Sequence, residues 1–368
     1  MFACGGTAGH INPALAVAGL LRERHPGAQI LFAGNPKGME ARLVPAAGYD
    51  FAPIEVLGFQ RRLSLHNIKN NLMAALYLLS VSKKAARIIR GFAPDLCMGT
   101  GGYVSGPVVR QAARMGIPTL AHEQNAFPGL TTKLLCRYAD KVLLAVPAAG
   151  ERLPPGTQTV VTGNPIRGEI LTADREEARR KLGVGGRVCL LSFGGSLGAR
   201  KINEAIAEVV AWHHGRGIIH HIHATGQYGT ERFPRLLAER GVNPSEIDLR
   251  TYIEDMPACL AAADLVICRA GASSISELQG AGRASILIPS PNVAGNHQYH
   301  NARELAAKNA AILLEEKDLT GQRLIETIRG LVDDPAERGN IGRNAASMAI
   351  PDACERICKE IEALAGSR

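Results

Sequence analysis

The chain has 368 residues, of which 46% are apolar and 21% are charged, and its formal net charge is +8. This length exceeds the size at which one hydrophobic core usually divides, so the sequence predicts two domains. No run of about 18 consecutive apolar residues occurs, which argues against a membrane-spanning class. Eight cysteines without a C-x-x-C pair predict neither a zinc site nor a disulfide framework.

The charge is distributed unevenly along the chain. Residues 1–160 carry 17 Lys and Arg against 8 Asp and Glu, whereas the remainder is close to neutral. A basic half beside a neutral half indicates that the first half meets an anionic partner. Because this half has no recognisable nucleic-acid motif and few aromatic residues for stacking, we expect no nucleic acid as that partner.

Short β-branched runs alternate with helical patterns and form two series. After a brief strand at Met1–Cys4, the first series comprises Gln29–Ala33, Leu96–Gly99, Thr119–Glu123, Lys141–Val146 and Thr159–Thr162. The second comprises Val188–Phe193, Ile218–Ala224, Asp248–Ile253, Leu265–Arg269, Ser285–Pro289 and Ala311–Leu314. Such alternation predicts an α/β chain with two Rossmann-like parallel sheets. So little sequence precedes the first glycine cluster that we expect the chain to begin a few residues late.

Turn residues at 163–165 interrupt this alternation and predict the domain boundary. Beyond them, Asp174 with Glu177 three residues later predicts a helix N-cap. Both halves begin with a strand and a glycine cluster, Gly5–Gly9 in one and Gly194–Gly198 in the other. This similarity indicates a structural repeat.

Glycine clusters between a strand and a helix can bring backbone N–H groups to an anion at the positive helix end. Besides the two clusters above, Gly99–Tyr103 ends a strand of the first series. None is the dinucleotide fingerprint G-x-G-x-x-G, and each alone is also explained by a tight turn. Their shared place after strands favours ligand contact, because ligands of open α/β sheets bind at strand carboxyl ends.

The segment Cys268–Glu277 is the most specific. Its strand ends at Arg269, Gly271 permits a sharp turn, and Ser273 and Ser274 are predicted to cap the next helix and suit a diphosphate. Glu277 lies about one turn further, where a carboxylate can accept hydrogen bonds from two ribose hydroxyls. The alternative is an ordinary helix start with an acid that favours the helix dipole.

Seven segments share their order and spacing with one enzyme family: Gly5-Gly-Thr-Ala-Gly-His10, His122-Glu-Gln-Asn125, Gly163-Asn-Pro-Ile-Arg167, Gly194-Gly-Ser-Leu-Gly-Ala-Arg200, Tyr252-Ile-Glu-Asp-Met256, Gly271–Glu277 and Gln298. Over essentially its whole length the chain resembles the MurG family of peptidoglycan N-acetylglucosaminyltransferases. The resemblance implies a GT-B fold with two Rossmann-like domains facing a central cleft. Residues 1–163 would bind the acceptor and associate with the membrane, 164–350 would bind UDP-GlcNAc, and a helix at about 351–368 would rejoin the first domain.

The implied activity is an inverting transfer of N-acetylglucosamine from UDP-GlcNAc to the muramoyl 4-hydroxyl of undecaprenyl-diphospho-MurNAc-pentapeptide. This reaction converts lipid I to lipid II in peptidoglycan synthesis, at the cytoplasmic face of the cell membrane. Three alternatives remain open from the sequence: another GT-B glycosyltransferase with a lipid acceptor, a UDP-GlcNAc 2-epimerase, which shares the architecture but needs no lipid-facing patch, and a non-catalytic membrane-recruiting subunit.

The resemblance also implies a set of donor contacts, grouped by the part of UDP-GlcNAc that they meet: Ser196, Ala272, Ser273 and Ser274 at the diphosphate, Glu277 at the ribose, the backbone of Ile253 at the uracil, Arg167 near the nucleotide, Gln298 and Asn125 at the sugar, and Thr7, Ala8 and Gly9 over the sugar from the other domain. One departure concerns Ala8, which stands where the family usually has glycine. This alanine must tolerate the backbone angles of the loop.

His10 is the first candidate for the general base. A helix N-terminus disfavours imidazolium, so the ring stays neutral and can accept a proton from the acceptor hydroxyl. The alternatives are a structural role for His10 and Glu123 as a competing base. No Asp-x-Asp occurs in the sequence, so we expect no metal and no cofactor, with the leaving-group charge held by a helix terminus and backbone donors.

Residues 56–94 contain seven basic residues and no acid: Arg61, Arg62, Lys69, Lys83, Lys84, Arg87 and Arg90. Apolar residues recur among them at helical spacing, at Leu65, Ile68, Leu72, Leu76 and Leu79. One interpretation is a helix at about 61–90 that lies on anionic lipid. The other is a buried crossover helix with a solvated basic edge.

Overall fold

The computed structural model describes residues 1–56 and 80–366. They form two compact units, each built on one parallel sheet with helices on its faces. The first unit is Met1–Pro165 together with Asp352–Arg368, and the second is Ile166–Pro351. The boundaries expected from the sequence lie within two residues of these.

The first unit contains a seven-stranded sheet with the order β3-β2-β1-β4-β5-β6-β7. Its elements in chain order are β1 (Phe2–Cys4), α1 (Ala8–Arg24), β2 (Leu31–Gly34), α2 (Glu40–Ala46), β3 (Asp50–Pro53), α3 (helical over residues 80–92), β4 (Cys97–Gly101), α4 (Ser105–Arg114), β5 (Thr119–Glu123), α5 (Leu130–Leu135), β6 (Lys141–Leu144) and β7 (Thr159–Val161). The chain runs outward from β1 to β3 and then returns to the other side of β1 with β4. The strand order therefore reverses between β1 and β4.

The second unit repeats this plan with a six-stranded sheet of order β10-β9-β8-β11-β12-β13. Its elements are α6 (Gly168–Thr172), α7 (Arg175–Lys181), β8 (Val188–Phe193), α8 (Arg200–His213), β9 (Ile219–Ala224), α9 (Arg232–Ala238), β10 (Asp248–Arg250), α10 (Met256–Ala262), β11 (Leu265–Cys268), α11 (Ala272–Ala281), β12 (Ala284–Leu287), α12 (His297–Ala306), β13 (Ile312–Leu313), α13 (Gly321–Asp333) and α14 (Pro335–Ser347). Here the order reverses between β8 and β11. The structural repeat indicated by the glycine clusters is confirmed, because each cluster follows the strand beside this reversal.

The sheets are held by the burial of their central strands. All residues of β5, β11 and β12 are buried, because helices cover both faces of a parallel sheet. Fully burying a side chain such as Leu120 or Ile286 contributes about 1.5–3 kcal/mol. The C-terminal helix α15 (Ala353–Ala365) adds Ile357 and Cys358 to the first unit's core, where they share a cluster with Val17 of α1.

Each strand of the two predicted series is present, with ends within three residues of the expectation. The sequence missed β3, a half-exposed strand at the edge of the first sheet. The predicted N-cap is confirmed, because the Asp174 side chain accepts a hydrogen bond from Glu177 N at 2.7 Å.

The basic segment falls only partly within the described residues. In α3 the side chains of Lys83, Lys84, Arg87 and Arg90 are exposed, whereas Val81, Ala85, Ala86 and Ile89 are buried. The remaining members of this segment lie outside the described residues, namely Arg61, Arg62, Lys69, Leu65, Ile68, Leu72, Leu76 and Leu79. None of the helices in the described parts of the chain combines the length and apolar character of a membrane span.

Candidate active site

The first glycine loop joins β1 to α1 at the point where the sheet order reverses. Gly6 has φ +86°, a left-handed conformation that glycine adopts without steric penalty. Thr7 is the N-cap of α1, and Ala8 and Gly9 are its first helical residues. Ala8 therefore needs no glycine-like angles, and the departure from the family pattern causes no backbone strain.

His10 is held by this loop through one ring nitrogen. Its Nδ1 lies 3.1 Å from the carbonyl oxygen of Gly5 and 3.4 Å from Thr7 Oγ1. Because a carbonyl can only accept a hydrogen bond, Nδ1 carries a proton, and in the neutral form of the ring the lone pair is then on Nε2. The ring lies against Gly101, where an added Cβ would stand 2.5 Å from His10 Cδ2. The geometry thus fixes both the orientation and the tautomer of a candidate base.

The loop after β4 packs directly against the first glycine loop. A Cβ at Gly102 would stand 2.2 Å from the Gly5 carbonyl oxygen, so glycine is required at this contact. Thr100 donates its hydroxyl to the backbone oxygen of His10 at 2.7 Å. Two of the three predicted glycine clusters therefore meet around His10, as expected for the carboxyl ends of neighbouring parallel strands.

Residues 122–125 follow on the next strand and connect to the same point. Gln124 donates from Nε2 to the Thr100 carbonyl at 2.7 Å. His122 is buried and its Nε2 donates to Gly163 O at 2.9 Å. Burial lowers the pKa of His122, so this ring is neutral and serves the packing of the unit.

Glu123, the competing base, is buried and already engaged. Its carboxylate accepts hydrogen bonds from Asn125 N and Asn125 Nδ2, both at 3.0 Å, from Gly129 N at 2.9 Å and from Thr132 Oγ1 at 2.5 Å. To approach a substrate hydroxyl this carboxylate would have to break several of these bonds, which favours His10 as the base. Glu123 orders the loop that carries Asn125, whose side chain is half-buried.

In the second unit, the glycine loop between β8 and α8 is held by backbone contacts. Gly198 has φ +86°, and a Cβ there would stand 2.2 Å from Thr225 O. Gln227 N donates to Ser196 O at 3.1 Å. Ser196 itself is exposed after the carboxyl end of β8.

The start of α11 differs from the sequence expectation. The N-cap is Gly271, and Ala272, Ser273 and Ser274 form the first turn. The prediction that Ser273 and Ser274 cap the helix is therefore wrong. Gly271 has no side chain to accept from the first-turn N–H groups, so these donors suit an anion. The buried Ser273 hydroxyl also has no hydrogen-bond partner among the described residues.

Two predicted donor residues meet although 110 positions separate them. Arg167 Nη2 lies 3.1 Å from Glu277 Oε1. Burial raises the pKa of Glu277, and the Arg167 guanidinium opposes this shift. Within the described residues Glu277 Oε2 accepts no hydrogen bond, so the second carboxylate oxygen is not engaged by this pair.

Two further residues present polar groups at the same edge of the second sheet. Gln298 Oε1 accepts from Ser290 N at 2.8 Å, which leaves its amide N–H groups as the donors. The side chain of Ile253 is buried, so only its backbone can meet a ligand. Ser196, Ile253, the first turn of α11 and Gln298 follow β8, β10, β11 and β12, respectively.

Sequence reasoning missed Glu40, Thr100 and Gln124, which support the His10 loop. The only signal for Glu40 was an acid at a helix start, shortly after two closely spaced glycines, Gly34 and Gly38. Among the residues that the structure describes, no group of three His, Cys, Asp or Glu is arranged to hold a metal ion.

Comparison with known proteins defines the class. The N-terminal domain model of glycosyltransferase family 28 matches residues 1–144, and the C-terminal domain model of that family matches residues 189–357. With two Rossmann-like parallel sheets, the chain is a family 28 glycosyltransferase with a GT-B fold.

Individual relatives narrow this class. The chain is 44% identical over 359 residues to a protein of Acetivibrio thermocellus, covering 97% of this chain and 96% of the relative, and 42% identical over 370 residues to one of Desulforudis audaxviator, covering 100% and 98%. Both are named UDP-N-acetylglucosamine–N-acetylmuramyl-(pentapeptide) pyrophosphoryl-undecaprenol N-acetylglucosamine transferase. The crystal structure of Acinetobacter baumannii MurG matches with a TM-score of 0.78 and 30% identity over 99% of both chains. The chain belongs to the MurG family.

Proposed function

We propose that the chain transfers N-acetylglucosamine from UDP-GlcNAc to the muramoyl 4-hydroxyl of undecaprenyl-diphospho-MurNAc-pentapeptide, converting lipid I to lipid II. The observation that carries this proposal is the identity of 44% and 42%, over essentially the whole chain, to relatives whose names state this donor and this acceptor. An intact set of donor residues in the second unit supports catalysis over a purely recruiting role.

The second unit would bind the donor nucleotide. Glu277, oriented by Arg167, would accept hydrogen bonds from the ribose hydroxyls. The first turn of α11, with Ala272, Ser273 and Ser274, would bind the diphosphate together with Ser196. The backbone of Ile253 would meet the uracil. The amide donors of Gln298 would contact the sugar, since its carbonyl oxygen is already held by Ser290 N.

The first unit would supply the base. Nε2 of His10 would take the proton of the 4-hydroxyl as its oxygen attacks the anomeric carbon. The bond from that carbon to UDP breaks on the opposite face, so the configuration inverts. The N–H groups at the start of α11 would stabilise the charge that develops on the leaving diphosphate. Thr7, Ala8, Gly9 and Asn125 would contribute contacts to the sugar.

We also propose that the exposed face of α3 attracts the enzyme to anionic lipid at the cytoplasmic face of the cell membrane. Lys83, Lys84, Arg87 and Arg90 share this face, and basic residues near an anionic surface contribute about 1 kcal/mol each. The opposite face packs into the first unit's core through Val81, Ala85 and Ile89. In this part of the segment the attraction is therefore electrostatic, without apolar insertion.

Vesicle sedimentation tests this membrane proposal. Binding should rise with the anionic lipid content and fall with salt, which screens charges. Replacing the four basic residues of α3 by Gln should remove most binding and spare turnover of a short-chain soluble acceptor. A matched control removes four exposed basic residues of the second unit, Arg180, Lys181, Lys201 and Lys308. Equal losses of vesicle binding in both variants would show that net charge, and not the exposed face of α3, determines the binding.

UDP release tests the proposed reaction. With UDP-GlcNAc, release should depend on a soluble lipid I analogue and should not occur with diacylglycerol. If UDP release depends on diacylglycerol instead, the chain is a glycosyltransferase for another lipid acceptor. Absence of release with either acceptor would favour the non-catalytic alternative.

A further inference from the structure

A single peptide group connects His10 to a buried carboxylate. The carbonyl oxygen of Gly5 accepts from His10 Nδ1 at 3.1 Å, and the N–H of Gly6 donates to Glu40 Oε2 at 3.2 Å. The Gly5 carbonyl and the Gly6 N–H belong to the same peptide group. The imidazole is therefore hydrogen-bonded to the carbonyl of this group and the carboxylate to its N–H.

Glu40 is unusual in its surroundings. The residue is 1% exposed, and its second carboxylate oxygen, Oε1, accepts a hydrogen bond from Asn35 N at 2.9 Å. It is the first residue of α2, where the positive helix end stabilises a negative charge. Backbone N–H groups therefore satisfy a carboxylate that is removed from solvent, where hydrogen bonds to charge are strengthened.

The space for this carboxylate is made by glycines from three segments. An added Cβ would stand 2.2 Å from the carboxylate at Gly5, 2.5 Å from Glu40 Cγ at Gly34 and 2.3 Å from the carboxylate at Gly38. Such distances are far below contact, so no other residue fits at these positions without displacing Glu40. The glycine loop and Glu40 are thus packed against each other.

The peptide between Gly5 and Gly6 needs such support. It lies between two glycines, and Gly6 has φ +86°, so intrinsic sterics restrain its plane weakly. Rotation of this plane would turn the Gly5 carbonyl away from His10 and remove the acceptor that holds the proton on Nδ1. The hydrogen bond from Gly6 N to Glu40 opposes this rotation.

We propose that Glu40 is a positioning residue for His10 and acts through the Gly5–Gly6 peptide. It keeps the carbonyl directed at Nδ1, which leaves the lone pair of His10 on Nε2. Donation of the N–H to an anion also polarises the peptide, so its carbonyl becomes a stronger acceptor and supports positive charge on the ring. No proton moves along the peptide. The catalytic consequence rests on the proposed function, in which His10 is the base.

Long-range ¹H–¹⁵N spectra of the histidine side chains test the inference without any turnover. The His10 signals, assigned by their loss in His10→Gln, should show the Nδ1–H tautomer in the wild-type chain. In Glu40→Gln they should shift toward a mixture of both tautomers. The matched control is Glu55→Gln, which removes an exposed carboxylate of the same unit that pairs with Lys37 at 2.7 Å. This control should leave the His10 signals unchanged.

Kinetics provide the second readout. Partners that orient a metal-ligating imidazole typically contribute about 10- to 100-fold, and we expect an effect of the same size here. The kcat of Glu40→Gln should therefore fall by about that factor while UDP affinity stays unchanged. If His10 of the wild-type chain has the Nε2–H tautomer, the proposed positioning role of Glu40 is wrong, even if Glu40→Gln does not fold. A folded Glu40→Gln with the wild-type tautomer and kcat would also overturn it. A shift toward both tautomers in Glu40→Gln, in a chain without acceptor-dependent UDP release, would support the positioning role of Glu40 and contradict the proposed function.

Discussion

The two glycine loops of this molecule begin alike and are supported differently. Gly5–Gly9 and Gly194–Gly198 each leave a strand beside the reversal of its sheet and lead into a helix. The first loop donates a hydrogen bond from Gly6 N to the buried side chain of Glu40 and leads to His10. The second is held by the backbone of residues 225–227, with Ser196 exposed. The same strand–loop–helix unit thus supports a candidate base in one case and a candidate anion site in the other.

Removing the imidazole should give the largest effect and separate the two loops most clearly. If His10 Nε2 takes the proton in the transition state, His10→Ala should lower kcat by roughly 10²–10⁴-fold. UDP affinity should not change, because the proposed nucleotide contacts lie in the second unit. Steady-state kinetics and calorimetry measure both quantities. A folded variant with near-normal kcat would return the role to Glu123 or to solvent.

In the part of the chain that the structure describes, the second unit, unlike the first, contains a cluster of three buried histidines, His213, His221 and His223. This cluster predicts how the stability of the second unit changes in acid. His213 Nε2 and His221 Nδ1 lie 3.0 Å apart, and Ser192 Oγ lies 2.8 Å from both His221 Nε2 and His223 Nδ1. Burial lowers the pKa of His213 to about 4 and that of His223 to about 3, and it lowers the pKa of His221 well below the ordinary range.

Unfolded histidines bind protons below about pH 6.5, whereas these folded ones stay neutral to much lower pH. The unfolded state therefore binds more protons in this window, and the free energy of unfolding falls as the pH falls from about 6.5 toward 4. His213 alone lowers the free energy of unfolding by about 3 kcal/mol at pH 4.

Denaturant titrations followed by the fluorescence of Trp212, the only tryptophan, measure this loss in the second unit. His213→Gln keeps an amide that can donate to or accept from His221, and it should flatten the pH dependence by about one proton. An unchanged slope in this variant would contradict the assignment.

The proposed contact of Glu277 with the ribose tests the nucleotide-binding role of the second unit. Glu277→Ala should weaken UDP binding by about 1.5–3 kcal/mol, as expected for charged hydrogen bonds, or about 10- to 150-fold in Kd. Glu176→Ala, at an exposed position of α7, is the control. Calorimetry that finds the same UDP affinity in folded Glu277→Ala and wild-type chains would remove Glu277 from the site.

Metal chelation should give the smallest effect. The sequence has no Asp-x-Asp, and backbone donors at α11 are proposed to stabilise the leaving diphosphate. We therefore expect EDTA to leave most of the activity intact. Complete loss that magnesium or manganese restores would show that this view of the leaving group is wrong.

Most of the fold could be predicted because buried parallel strands give continuous apolar runs, as in Leu265–Cys268. The edge strand Asp50–Pro53 escaped detection because it is half exposed and therefore has no continuous apolar run. The capping prediction for Ser273 failed because the backbone at Gly271, with φ −69° and ψ 142°, determines where α11 begins. Glu40 was missed because its partner, Gly6, lies 34 positions away, and local patterns do not report such contacts.

The linkage in the product is the most direct test of the proposed transfer. We expect UDP-GlcNAc and a soluble lipid I analogue to yield one new disaccharide, joined at the muramoyl 4-oxygen with a β-configured N-acetylglucosamine. Proton NMR of the purified product distinguishes the anomers through the coupling of the anomeric proton, and carbon–proton correlations identify the substituted oxygen. An α-linked product, a bond to another hydroxyl or transfer to water alone would contradict the proposed inverting transfer to the muramoyl 4-hydroxyl.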